Sequence, residues 1–229
     1  MKKILSLVLA LFLGTIAASA LNIEVDGMYY FTFQKFSRTK WAGIEIHKDL
    51  QQKLEYVAPV GIGANATLYF ANAGIAEFGV NLAAGFDIGT LQNRLPNNDK
   101  TGDAIWGGGG FIKIGFAMNF NFDSINSLYI SPGVIIGGAT VAQTIPIINE
   151  ITRFSTVVVG LDIDIGYRAW FLHQSDFIFG IDVGINIDAP LGVSTSQTIK
   201  LPGTKTNTSG RILGGGFKLY IGPCFKFGV

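Results

Sequence analysis

The chain has 229 residues and a formal net charge of +1, with 17 Lys and Arg against 16 Asp and Glu. That balance leaves no basic footprint for nucleic acid, and a single cysteine, Cys224, excludes an intramolecular disulfide. Hydrophobic residues make up 48% and charged residues 14%. The composition leans toward membrane proteins, yet after residue 20 no uninterrupted apolar run reaches the roughly 18 residues that a spanning helix needs.

The chain opens MKKILSLVLALFLGTIAASA: Lys2 and Lys3, an apolar stretch from Ile4 to Leu13, then small residues ending Ala18-Ser19-Ala20. Charge, apolar core and small-residue cleavage site in that order make a secretory signal peptide. The expected organisation is therefore a leader over 1–20 and one domain over 21–229.

Beyond the leader, side chains alternate with period two, which predicts strands. The first strand, near 22–34, sets Ile23, Val25, Tyr29, Phe31 and Phe33 against Glu24, Asp26, Tyr30, Thr32 and Gln34. The second and third, near 56–70 and 75–89, set Val60, Ile62 and Leu68, then Phe78, Val80, Leu82 and Phe86, against Glu77, Asn81 and Asp87. The fourth is IWGGGGFIKIGFAMNFNF, 105–122. Its glycines do not form a phosphate loop, because no helix and no Lys-Ser/Thr follow; period-two alternation continues from Ile112 to Phe122 instead.

The fifth strand, near 127–141, shows Leu128, Ile130, Val134 and Ile136 on one face. The sixth, near 154–171, sets Val157 to Tyr167 against Asp162, Asp164 and Arg168. The seventh, near 176–188, sets Phe177 to Ile187 against Asp182, Asn186 and Asp188, and the eighth, from about 211, sets Leu213 to Val229 against Lys218, Tyr220 and Lys226. Pro132 and Pro223 fall inside strands, where each removes a ladder bond and predicts a bulge or a displaced strand end.

Connections alternate: long near 35–54, 90–104, 142–153 and 189–210, short near 71–74, 123–126 and 172–175. Long loops at one end and short turns at the other are the plan of an outer-membrane barrel. Aromatic residues beside the short turns, Phe70, Phe120, Phe122, Tyr129, Trp170, Phe171, Phe177, Phe225 and Phe227, predict an interfacial girdle. Without water in hydrocarbon, a non-helical chain spans only as a closed ring with no edge. The fold class is thus all-β, an eight-stranded antiparallel up-and-down transmembrane β-barrel with the apolar parity on lipid. Gly61, Gly79, Gly85, Gly115, Gly160 and Gly184 share the other parity, in an interior with room for modest side chains, which predicts void volume there.

With its leader, its eight amphipathic strands and the ending YIGPCFKFGV, the chain resembles the small eight-stranded outer-membrane proteins of double-membraned bacteria, the outer-membrane protein A, X and W groups. The resemblance is architectural and carries over no functional residue. It implies an outer-membrane location, outer-membrane lipid and the barrel-assembly machinery as partners, and, after the W group, passage of small apolar solutes.

Lumen candidates are Glu24, Asp26, Glu77, Asp87, Asp162, Asp164, Asp182 and Asp188 with Lys113, Arg168, Lys218 and Lys226. They read either as a cation-preferring or ligand-holding cavity or as a packed plug of paired charges. In the first long loop Lys35, Arg38, Lys40, Trp41 and Lys48 are candidates for binding a host-surface or glycolipid ligand. Ile145, Ile147 and Ile148 beside Pro146 are costly to leave in water and read as a gate or an apolar-ligand contact. His47 and His173 fall at opposite ends of the barrel, so no nucleophile, base and orienter converge and the chain reads as no enzyme. No His/Cys cluster has metal-ligand spacing, and neither metal nor cofactor is expected. The sequence leaves two roles: a narrow channel or carrier for small, apolar solutes, and a structural or adhesive barrel whose outer loops bind ligands.

Overall fold

The computed structural model describes residues 22–228 apart from 52, 95–96, 98, 100–103, 146–149, 175–176 and 202–203, with the backbone alone at 142–145, 150–154, 190, 192–201, 204–208 and 212. The leader, Ile147 and Ile148 lie outside the described residues. The strands are β1 (Asn22–Trp41), β2 (Ile44–Glu45), β3 (Lys53–Ala73), β4 (Ala76–Arg94), β5 (Ile105–Asn121), β6 (Asn126–Ile145), β7 (Glu150–His173), β8 (Phe177–Leu201) and β9 (Thr204–Phe227), with a 3-10 turn at Lys48–Leu50. β1 and β3 to β9 pair in sequence order, and β1 also pairs with β9, from Ile23↔Phe227 to Trp41↔Gly210. The ring of eight is closed, and β2 is a two-residue addition folded onto the end of β1.

Local chemistry sets the turns. Ala73 pairs with Ala76, and Gly74, at φ 71°, takes the first central position of that two-residue hairpin, where glycine is favoured. Between β5 and β6, Asp123 Oδ1 accepts the backbone N–H groups of Ile125 and Asn126, both at 2.7 Å, an Asx turn.

The alternation has the sense of a membrane barrel. Ile114 is 64% exposed and Lys113 beside it 1%, the reverse of a soluble barrel, and the outward belt of Ile62, Leu82, Phe86, Val134, Leu161 and Ile221 continues around the ring. The core is the lumen.

Several expectations need correction. The connections near 142–153 and 189–210 are mostly strand: β6, β7, β8 and β9 run on past the lipid belt as hairpin arms. At about 3.3 Å per residue, the 25 residues of β8 far exceed the roughly 9–11 that span a bilayer. β1 likewise continues to Trp41. Pro132 and Pro223 open short gaps in the ladders to β5 and β1 without shifting register. Shifts occur instead between Val57 and Val60, around Pro59, and between Asp188 and Val193, around Pro190.

The girdle is also smaller than expected. Tyr129 and Trp170 are buried, Phe70 is 6% exposed, and Trp170 Nε1 donates to Ser127 Oγ at 3.1 Å. Phe122 and Phe171 do face outward, and Phe179, Phe225 and Phe227 form an aromatic run across the β8–β9 seam, with Phe179 and Phe225 centroids 5.1 Å apart.

Candidate functional site

The lumen is built in tiers. At the short-turn end, Arg168 of β7 is fully buried. Its Nη1 donates to Glu24 Oε2 at 2.5 Å and to Tyr69 Oη at 3.1 Å, and its Nη2 to Asp26 Oδ2 at 2.8 Å. Its Nε lies 3.3 Å from Asp182 Oδ2, and its guanidinium sits 4.1 Å over the Tyr129 ring. One cation on β7 thus holds carboxylates of β1 and β8 in a planar fork, a geometry that lysine cannot supply. Beside it, Lys226 Nζ donates to Glu77 Oε2 at 2.5 Å, and Asn22, Asn119 and Asn121 each donate to Glu77 at 3.0 Å.

In the middle tier, Lys113 forms an ion pair with Asp162, lies 3.7 Å from Asp164 Oδ2 and donates to Ser131 O at 2.9 Å. Tyr220 Oη donates to Asp164 Oδ1 at 2.8 Å. Lys218 donates to Asp188 at 2.7 Å and Asn186 at 3.0 Å, and lies 4.8 Å from the Phe111 centroid. Asp162 and Asp188 are register partners. Like charges so placed repel, and each has its own lysine.

Above them Asp87 accepts from Tyr56 Oη at 2.5 Å and Thr32 Oγ1 at 3.2 Å. The tier beyond is apolar: Phe36, Leu54, Ala58, Leu91, Ala139, Val141 and Val158 pack together with the Tyr56 ring. Outward neighbours there are polar, Lys35 beside Phe36, Lys53 and Glu55 flanking Leu54, Thr140 beside Val141. Above the lipid belt the alternation inverts, and the outer end is a water-soluble type of barrel with an apolar core.

Every lumen candidate is buried: Glu24, Asp26, Glu77, Asp87, Lys113, Asp162, Asp164, Arg168, Asp182, Asp188, Lys218 and Lys226. The structure brings them together as linked pairs. The glycine parity does not leave the expected void. A Cβ at Gly85 would lie 2.7 Å from both Tyr30 Oη and Phe111 Cε1, and one at Gly109 3.0 Å from Tyr56 Oη. The glycines are floors for aromatic rings. The cavity bordered by Gln34, Tyr56, Asp87 and Phe111 measures about 20 Å³, and that bordered by Met28, Tyr30, Phe111 and Tyr220 about 10 Å³, room for about one water each.

The first-loop candidates divide. Lys35, Arg38, Lys40 and Trp41 lie on β1, with the Arg38 guanidinium 4.3 Å over the Trp41 ring, and Lys48 lies exposed in the 3-10 turn. Ile145 ends β6, with its side chain outside the described residues. His47, exposed, lies 3.4 Å from Asp49, and His173 Nε2 lies 2.8 Å from Ser124 O at the other end of the barrel. Among the described residues, no group of three or more His, Cys, Asp or Glu could hold a metal ion.

Sequence reasoning placed Tyr30 and Tyr220 on the inward parity but missed Tyr56, Tyr69 and Tyr129, all buried, and the apolar tier. Tyr129 shares parity with Ser127 and Ser131, both buried, and that parity was the available signal.

No protein-family model and no curated protein matches the chain. Among solved structures it is similar to the outer membrane protein OprG from Pseudomonas aeruginosa, at 13% identity and TM-score 0.55, over 92% of this chain and 97% of that one. It is similar to a major outer membrane protein from Thermus thermophilus, at 13% identity and TM-score 0.54, over 87% and 99%. It is also similar to the outer membrane protease OmpT from Escherichia coli, at 8% identity and TM-score 0.53, over 91% and 96%. The fold is that of the small bacterial outer-membrane barrels. At these identities the likeness extends to fold alone.

Proposed function

We propose that the protein is an outer-membrane barrel with a sealed lumen that binds an anionic ligand at the cell surface along its raised hairpin arms. On this reading the leader directs export, and the barrel-assembly machinery inserts the chain, whose last strand carries Phe225 and Phe227. The observation that carries the reading is the filled interior: Arg168 joins β7 to β1 and β8, Lys226 joins β9 to β4, and an apolar tier closes the outer end. A solute moving along the axis would have to break these pairs, and separating buried charges is costly.

What remains to do the work is the outer surface. After Asp188 the chain has no Asp or Glu, while the arm formed by β8 and β9 includes Lys200, Lys205 and Arg211 among serines and threonines. Lys200 and Lys205 are register partners beside the turn, an arrangement that favours an anion between them.

The test replaces residues 196–209 with Asn-Gly, which joins the register partners Thr195 and Gly210 through a two-residue turn. Cells expressing this variant are expected to lose binding to anionic matrix or glycan surfaces while the purified barrel keeps heat-modifiable gel migration. Unchanged binding by the folded variant would remove the reading.

A second reading, passage of a small apolar solute, has one observation in its favour. A depression of about 730 Å³ on the bilayer side is walled by Ile62, Phe86, Ile112 and Ile136, and Phe111 borders both it and the two lumen cavities. Planar-bilayer conductance and apolar-solute uptake separate the readings. The sealed barrel gives neither, and a carrier gives uptake that rises in Phe111→Ala.

A further inference from the structure

At the short-turn end, below the Arg168 tier, the strands border a cavity of about 310 Å³, at the lower end of the range that small-molecule sites occupy. Glu77 and Lys226 line it, 2.5 Å apart. Glu77 also accepts Asn22, Asn119 and Asn121, and Lys226 lies 3.6 Å from Glu24 as well, so the two charges are matched within the protein. Asp123, at the rim, has both carboxylate oxygens engaged by Ile125 and Asn126 of its own turn. The mouth is polar, yet its charged groups already have partners.

Its wall has two unlike halves. Asn22 begins β1, Asn72 lies at the end of β3 and Asn121 ends β5, which sets three amides on the arc from β1 through β3 and β4 to β5. On the other side, β7 supplies Trp170 and His173, and β8 supplies Ile178. In the closed ring of eight, β3 and β7 stand diametrically opposite. Both rings on β7 are tethered: Trp170 donates its indole N–H to Ser127 Oγ at 3.1 Å, and His173 Nε2 donates to Ser124 O at 2.8 Å. An amide donates and accepts at once, so the amide half suits groups that do both, hydroxyls and other amides. The half made of rings and isoleucine suits C–H groups. A sugar unit carries the two in one flat body, hydroxyls around its edge and C–H groups on its faces.

We infer that the short-turn mouth of the barrel binds a neutral sugar unit, its hydroxyl or acetamido groups on Asn22, Asn72 and Asn121 and a C–H face against Trp170, His173 and Ile178. The site lies at the opposite end of the barrel from the hairpin arms and does not depend on what they bind. Because Glu77, Lys226 and Asp123 are engaged within the protein, neither a uronic acid nor a free amino sugar gains an ion pair there. Salt, which screens exposed charges, leaves the affinity for a neutral sugar unchanged.

The test titrates the full barrel in phosphatidylcholine nanodiscs with N-acetylglucosamine and its methyl glycoside, with glucuronate and glucosamine as charged controls, and follows the Trp170 indole N–H and the His173 ring by NMR. A neutral sugar is expected to give saturable shifts at both residues, with a midpoint several-fold lower than either charged control and indifferent to salt. An equal response to the methyl glycoside would assign the mouth to a unit within a glycan, a response to the free sugar alone to a free saccharide, and either supports the proposal. Asn72→Leu removes an amide from one half of the wall and Ile178→Ser an apolar group from the other; each, checked for heat-modifiable migration, should raise the midpoint several-fold. The variant with residues 196–209 replaced should titrate as the wild type does, which separates failure here from failure of the arm-binding reading. No saturable shift with either neutral sugar, binding of a charged control as tight as that of the neutral ones, or an unchanged midpoint in both folded point variants would each overturn the proposal.

Discussion

Arg168 on β7 and Glu24 on β1 meet at 2.5 Å across the lumen although 144 residues separate them in sequence. β9 and β8 stand between those strands in the ring, so the contact cannot form until the barrel is closed. The same guanidinium engages Asp26 and Asp182. The lumen charge network is therefore a brace across the cylinder.

Removing the cation should be severe. Arg168→Met leaves Glu24, Asp26 and Asp182 buried around an apolar side chain, and breaking a buried ion pair by deleting one partner costs about 3–5 kcal/mol. Urea unfolding in micelles, followed by the heat-modifiable band, should show a loss of that order. Adding Glu24→Gln and Asp182→Asn to Arg168→Met should recover part of it; a triple variant no more stable than the single one would mean that charge burial is not the cause.

Much of this is readable from alternation, and the misses have a physical pattern. Lys113 and Ile114 declare their faces because one meets the lumen and the other hydrocarbon. The segment from Ala189 to Leu201, with Ser194, Thr195, Ser196, Gln197 and Thr198 in a row, has no apolar parity in the sequence and reads as loop although it is strand. Where the outer end has an apolar core, parity inverts: Leu54 points in, while Lys53 and Glu55 flank it, and the pattern again looks irregular. Nearness to a turn suggests the girdle for Tyr129, whereas its parity, shared with Ser127, puts it inside. The glycines read as interior, but a sequence does not show that Tyr30, Tyr56 and Phe111 lie across them.

The glycine floors give a second prediction. Gly85→Val would drive new methyl groups into the space of Tyr30 Oη and Phe111 Cε1, each 2.7 Å from the position of a Cβ. Overpacking of this kind typically costs about 1–3 kcal/mol. Tyr30→Ser should relieve it, so a double-mutant cycle in unfolding free energy should show strong coupling. Additive losses would place the strain elsewhere.

The inverted tier gives a third. Leu54, fully buried among Phe36, Leu91 and Val141, has protein on every side, whereas Leu82 is 56% exposed toward lipid. Truncating either loses transfer free energy. Only Leu54→Ala also leaves a cavity, since acyl chains close over the gap at position 82. Leu54→Ala should cost about 2–5 kcal/mol and Leu82→Ala clearly less, measured side by side in one micelle system. Equal losses would mean that the outer tier is not a packed core.

The short turn between β5 and β6 gives a pH-dependent prediction. Asp123 is fully exposed, and its carboxylate is held below the usual carboxylate range, first by the Asn126 side-chain amide and then by the backbone N–H groups of Ile125 and Asn126. Unfolded, it titrates near about 3.9. Because the folded value is the lower one, the stability that the group contributes is complete above the unfolded value and is lost as pH falls through the folded value. The Ile125 and Asn126 amide resonances, followed in micelles as the solution is acidified, should therefore hold steady through the ordinary carboxylate range and shift only below it. Asp123→Ala should show the shifted positions at every pH, and a wild-type midpoint above the unfolded value would reverse the sign of the effect and rule out the carboxylate as the turn's cap.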